Sequence, residues 1–280
     1  MFSSMADVQG QSGRDYRFQL FLVAALSLGQ SAVYAVVSLA DHLSRGALTQ
    51  AQAQVNTSLN PRPWFDLVYQ LLGITFALVP VVLALYFMRS VNVSAEPGLH
   101  SGKVSTEPGM RAEPRTIRQV CHHIGFDFRR PLRDCAYGGM LFLVIGAGSL
   151  GVYAAGRALG LTAEVVPNAL GHYWWSIPVL VLLAIKNGVL EEVVLLGFGY
   201  DRLEKLGAKP WLIILGLALF RGSYHLYQGV GPFVGNVIMG IIFGFLVLRS
   251  GRVMPCVIAH SAVDIAGFTV PGILAAVDPA

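Results

Sequence analysis

The sequence predicts an all-α protein, a polytopic integral membrane bundle of seven transmembrane helices, or eight if one long run is split. Three observations carry that expectation. Apolar residues make up 54% of the chain and charged residues only 13%, about half the charged share of a soluble domain. Apolar runs long enough, or nearly so, to cross a bilayer recur along the whole sequence. Polar and turn-forming residues collect between those runs and leave no stretch that would fold as a separate water-soluble domain.

Residues 1–17 are polar and bring Arg14 and Arg17 up to the first run, 18–40. That run exceeds a signal-peptide core and follows a polar leader, so it reads as a retained span; Ser38-Leu39-Ala40 is only a weak cleavage site. A polar connection, 41–63, leads to the second run, 64–88, where Pro80 predicts a kink of the kind buried helices accept. Residues 1–88 therefore form an N-terminal region with two spans. Residues 89–134 differ in kind, holding a near repeat, V-S-A-E-P-G at 93–98 and V-S-T-E-P-G at 104–109. So much Pro and Gly with so little apolar surface cannot fold alone and predicts a flexible cytoplasmic linker. Its end changes pattern: Ile117, Val120, Cys121 and Ile124 fall at helical spacing, which suits either a short amphipathic helix on the membrane surface or a solvated linker end. From 135 to 280 five further runs follow, at 137–155, 174–200, 211–228, 233–248 and 253–277.

Charge placement orients this plan. If seven spans alternate, most basic residues fall on one side, among them Arg89, Arg129, Arg130, Arg133, Arg202, Lys205, Arg249 and Arg252. The other side holds only Arg45, Arg62 and Arg157 near its spans. The positive-inside rule then puts the N-terminus and the linker in the cytoplasm and the C-terminus outside. The net charge of +4 is spread between spans and forms no nucleic-acid face. Cys121, Cys135 and Cys256 follow neither a paired nor a zinc-site spacing and are expected as free thiols.

The chemistry concentrates in the last four runs. The first three are almost free of ionisable groups, whereas the last four carry Lys186, Glu191, Glu192, Arg221, His225, His260 and Asp264. A charge at mid-bilayer costs roughly 2.5 to 3.5 kcal/mol on insertion scales and usually faces a bundle interior. Arg221 and His225, His260 and Asp264, and Asn187 and Glu191 are each four apart, so three helices would each offer a polar stripe to a common interior. Glu191 and Glu192 point about 100° apart, so one can face a reaction centre while the other bonds to a neighbouring helix. Two close carboxylates in low dielectric cannot both ionise cheaply; one is suited to take a proton from water and return it to a leaving amine. The histidines could stabilise an oxyanion or bind a metal, and Asp264 could orient His260. No H-E-x-x-H, G-x-S-x-G, phosphate-loop or dinucleotide motif competes, and Ser223 is badly spaced from His225 for serine hydrolysis. Gly240 and Gly244 predict a close helix contact, and Asn187, Asn236 and Gln228 interhelical hydrogen bonds.

These residues resemble the CAAX-protease and bacteriocin-processing family of intramembrane endopeptidases, also called the abortive-infection family. That family carries E-E-x-x-x-R, F-x-x-x-H and H-x-x-x-N or H-x-x-x-D on successive helices. The counterparts here are E-E-V-V-L-L-G at 191–197, R-G-S-Y-H at 221–225 and H-S-A-V-D at 260–264, within a protease-like core of about 175–270. The resemblance implies that Glu191 activates water, Glu192 assists or positions it, His225 and His260 hold water and oxyanion, and Asp264 takes the Asn or Asp position. It implies a peptide or protein substrate that reaches a membrane-embedded site, and a multi-pass protein of a bacterial plasma membrane. The family is described both with and without a tight metal. If a divalent ion such as zinc is used, Glu192, His225 and His260 are the candidate ligands. Two departures stand out: Leu196 occupies the motif's arginine position, and Arg221 the phenylalanine position. Arg221 is therefore expected to supply the lost charge. Two other readings stay open, a non-catalytic family member acting in binding or immunity, and a proton-coupled carrier. Against the carrier stand the absence of an inverted repeat and the confinement of polar residues to one half.

Overall fold

The described residues are mostly helical, in a computed structural model of residues 2–89, 114–166, 170–171 and 173–277, with side chains between 13 and 270 within those ranges. The near repeats of the expected linker lie outside the described residues. The first apolar run does not make one straight helix. It divides into α1 (Phe2–Ala25) and α2 (Leu28–Arg45), bent by 54°. The Ser27 hydroxyl donates to the Val23 carbonyl at 2.5 Å, and a Cβ on Gly29 would lie 2.7 Å from the Ala24 carbonyl oxygen. A Ser-Gly pair of this sort is a usual cause of a sharp kink. The second run matches its expectation: α3 (Pro63–Ala77) passes into α4 (Val79–Met88) across Pro80.

The expected amphipathic helix forms as α5 (Ile117–His123). Its start is closed by a capping box, in which the Gln119 amide donates to Thr116 Oγ1 at 3.3 Å and the Thr116 amide donates to Gln119 Oε1 at 2.7 Å. Val120 and Ile124 are buried in the main apolar core, so α5 is docked on the bundle through one face. The rest of the bundle comprises α6 (Pro131–Ala158), α7 (Ser176–Glu192), α8 (Tyr200–Lys205), α9 (Pro210–Ser223), α10 (Val230–Ser250) and α11 (Met254–Val277). A π-helical stretch, Val193–Gly199, joins α7 to α8.

By length and composition, three described helices can cross a membrane: Pro63–Met88, Pro131–Ala158 and Val230–Ser250. The bent α1–α2 pair makes up to four. This is short of the seven expected, for physical reasons. Lys186, Glu191 and Glu192 interrupt α7, and α9 and the described part of α11 are too short. Two small strands, β1 (Gln52–Gln54) and β2 (Glu164–Val166), pair in parallel, tying the 41–63 connection to the loop after α6. Thr162 bridges in turn to Gly229.

Small residues set how closely the helices approach. A Cβ on Gly240 would lie 2.9 Å from the Ala218 Cα, and one on Gly244 2.9 Å from Ile214 Cγ2, so the G-x-x-x-G is the contact between α10 and α9, as its spacing predicts. Gly188 does the same for α7 against α11, where a Cβ would collide with Ser261 Oγ and lie 3.0 Å from the Val257 carbonyl oxygen. All three cysteines are free thiols. Trp174 faces outward, whereas Trp175 is buried and stacks on Tyr173 at 5.1 Å.

At the end where the linker rejoins the bundle, Arg252 holds three segments together. It donates to Asp134 at 2.9 and 2.6 Å and to Asp127 Oδ1 and its carbonyl at 2.9 and 3.1 Å. Burial pushes the Asp127 carboxyl up, but the Arg252 guanidinium, the Arg129 amide and His122 outweigh it and bring it down to about 2. Because that carboxyl is depressed, its contribution to stability is full above the ordinary value of about 4 and is lost as pH falls through about 2. Asp127→Asn is expected to flatten the acid limb of stability between those values, read by thermal unfolding in detergent. Arg252→Met, which leaves Asp134 buried without a partner, is expected to cost about 3 to 5 kcal/mol on a chemical denaturation curve.

Candidate active site

The six residues singled out from the sequence sit on α7, on α9 and the turn that follows it, and on α11, and the structure brings them together. Glu192 is fully buried. Its Oε1 accepts from Arg221 Nη2 of α9 at 2.6 Å and from His260 Nδ1 of α11 at 2.7 Å. Glu191, also buried, accepts at Oε2 from the Tyr224 hydroxyl at 2.5 Å. The adjacent carboxylates thus diverge as a helix requires: one is tied to two neighbouring helices through cationic or cation-capable groups, the other is held by a single neutral hydroxyl. His260, Arg221 and His225 all lie within electrostatic reach of Glu191.

Asp264 stands 3.8 Å from His260 Nε2, beyond a direct hydrogen bond. It accepts instead from Asn187 Nδ2 at 2.9 Å, and Lys186 Nζ donates to the other side of that amide at 2.5 Å. Because an ammonium only donates, the amide oxygen must face Lys186 and its nitrogen must face Asp264. Asn187 therefore makes the interhelical bond expected of it. Asn236 and Gln228 bond within their own segments, to the Pro232 carbonyl and the Tyr227 hydroxyl.

One expectation fails at the end of α9. Arg221 and His225 do not share a helical face, since the helix stops at Ser223 and the chain turns through Tyr224 and His225 into a 3-10 turn, Leu226–Gln228. The Ser223 hydroxyl takes the Phe220 carbonyl at 2.6 Å, which closes the helix and commits that hydroxyl. Tyr224 caps α9 three residues after Arg221, on the same face, and reaches Glu191. It was not singled out from the sequence, although its i, i+3 spacing from Arg221 was the available signal. His225 keeps its place beside the site: its ring stacks obliquely on Tyr224 at 4.9 Å, and its buried Nε2 has no hydrogen-bond partner, nor has Arg221 Nη1 or Glu192 Oε2. All three belong to residues gathered around the two glutamates. Leu196, in the π-helical stretch, is buried in the apolar core, while the charge beside Glu192 comes from Arg221.

The donor set does not fit a metal ion. No three His, Cys, Asp or Glu side chains among the described residues come together as ligands. Glu192 Oε1 and His260 Nδ1 bond to each other, and a guanidinium already sits at 2.6 Å from that carboxylate.

Residues 173–266 match the family model of the type II CAAX prenyl endopeptidases, Rce1-like. The last helices of the bundle are Rce1-like. The match covers every candidate residue and agrees with the resemblance drawn from the three motifs; α1 to α6 lie outside it. Neither curated proteins nor solved structures gave a match. The family is one of membrane-embedded proteases, and its members process peptide substrates.

Arg221→Leu would leave Glu192 buried with only His260. It is expected to lower peptide cleavage at least 100-fold, with a stability loss of about 3 kcal/mol or more. Adding Leu196→Arg should restore part of both. Full activity in the single variant, measured on purified protein, would show that Arg221 does not support the glutamates.

Proposed function

We propose that the chain is an intramembrane endopeptidase in which Glu191 activates a water molecule against a peptide bond. The observation that carries this reading is the unequal anchoring of the two carboxylates. Glu192 Oε1 is spent on Arg221 and His260, so Glu192 acts as the group that positions the site. Glu191 has one hydroxyl partner and keeps Oε1 for a reacting proton. In the reaction Glu191 takes a proton from water as the oxygen bonds to the carbonyl carbon. The resulting oxyanion is met by the unpaired donors His225 Nε2 and Arg221 Nη1. The C–N bond then breaks, and the proton on Glu191 passes to the leaving amine. His260 holds Glu192 through Nδ1 and presents Nε2 toward Asp264, which the Lys186–Asn187 pair orients.

The reading extends to topology. Residues 1–88 form an N-terminal helical region, 89–134 the connection with α5, and 135–280 the bundle that holds the site. The chain crosses seven times with its N-terminus in the cytoplasm of a bacterium, as the basic residues between spans favour.

Glu191→Gln keeps the shape of the side chain and removes the base. In detergent-purified protein offered a peptide library, it should lower cleavage by about 100- to 10,000-fold while leaving thermal stability close to wild type. Cleavage undiminished by this change would rule Glu191 out as the base. Proton-coupled transport in liposomes with no cleavage by the wild type would favour a carrier.

A further inference from the structure

The helix pair outside the family match also reaches the site. α2 packs against the Leu226–Gln228 turn, and between them lies an open cavity of about 590 Å³, within the range that holds a small ligand or a short piece of chain. Gln30, Ser31, Tyr34 and Ser38 line it from α2, and Tyr224 and Tyr227 from the turn. Positions 30/31, 34 and 38 follow successive turns of one helical face. Each of these six side chains carries a hydroxyl or an amide, and none carries a charge. The remaining lining residue is the small, buried Ala35.

The chemistry of that lining matches one kind of occupant. Peptide bonds in a transmembrane helix are shielded inside its own hydrogen-bond ladder, so a segment to be hydrolysed must first unwind. In a bilayer the freed N–H and C=O groups then need partners. Hydroxyls and amides both donate and accept, whereas an unpaired charge laid against this lining would stay costly. The cavity is separated from Glu191 by a single side chain, Tyr224, which lines it and donates to Glu191 at 2.5 Å.

The geometry points to a substrate groove walled by α2, which takes an unwound, uncharged peptide segment beside Tyr224, one side chain away from Glu191. The groove rests on the endopeptidase reading for the fate of the bound segment, while binding itself can be measured apart from turnover. The full chain carrying Glu191→Gln, in lipid nanodiscs, is titrated into a fluorescent peptide with apolar flanks and a Gly-Asn-Ser-Thr centre. A counterpart with Lys and Glu at its centre is measured alongside, both by anisotropy.

The neutral peptide should bind at least tenfold more tightly than the charged one. Adding Ser38→Trp, which fills the groove, should weaken binding at least tenfold. Val37→Trp, on the same helix at a position outside the lining and 61% exposed, should leave binding unchanged and so guards against misfolding. Equal binding with and without Ser38→Trp, equal binding of the two peptides, or no binding of either overturns the groove. Cleavage of the neutral peptide by the wild type bears separately on the catalytic reading. Groove-dependent binding with no cleavage would sink that reading alone, and cleavage with binding indifferent to Ser38→Trp would sink the groove alone.

Discussion

A carboxylate with no solvent exposure, Glu192, is held at one oxygen by a guanidinium from α9 and an imidazole from α11, and the arrangement of the last helices depends on that junction. Burying an ionised group in apolar surroundings costs several kcal/mol unless it is paired and hydrogen-bonded, so α7, α9 and α11 cannot drift apart without exposing an uncompensated charge. The backbone prepares for the junction. Gly188 lets α11 press on α7 near the glutamates, and Gly240 and Gly244 let α10 press on α9 and back the helix that carries Arg221. Apolar contact supplies most of the packing, and the ion pair selects the register in which that packing is tolerable.

With Glu192 committed to two helices, its neighbour is held far more lightly. Glu191 leaves the same helix about 100° away and meets only the Tyr224 hydroxyl. α9 is interrupted after Ser223, with Tyr224 still on the face of Arg221. The same interruption creates the turn against which α2 packs, beside the polar cavity. A π-helical stretch directly after the glutamates belongs with these irregularities, which gather at functional sites because regular helices cannot aim side chains so freely.

The two ends of the bundle are tied by different means. At one, Arg252 joins Asp127 and Asp134, and the Val253 and Met254 amides donate to the Ile124 and Gly125 carbonyls; Gly125, at φ +63°, has no room for a Cβ beside Arg252. At the other, the β1–β2 pair and the Thr162–Gly229 bridge link connections distant in sequence. Neither tie touches the glutamates or α7, the helix that carries them; they fix its neighbours α6, α10 and α11.

The sequence by itself determined that the chain is a helical membrane protein, because composition and apolar periodicity are local properties that survive without a fold. It also picked out the candidate site: charged side chains in apolar runs are rare, and Glu191, Glu192, Arg221, His225, His260 and Asp264 were legible as candidates for that reason. Arg221 was legible as a partner for the glutamates because the arginine expected at 196 is a leucine. Only the tertiary structure decided which carboxylate pairs and which is free, that Tyr224 serves Glu191, that Asp264 answers to Asn187 more closely than to His260, and that α1 and α2 are bent apart. Each of these turns on a helix end or a contact between residues far apart in the chain, and spacing along one helix carries no information about either.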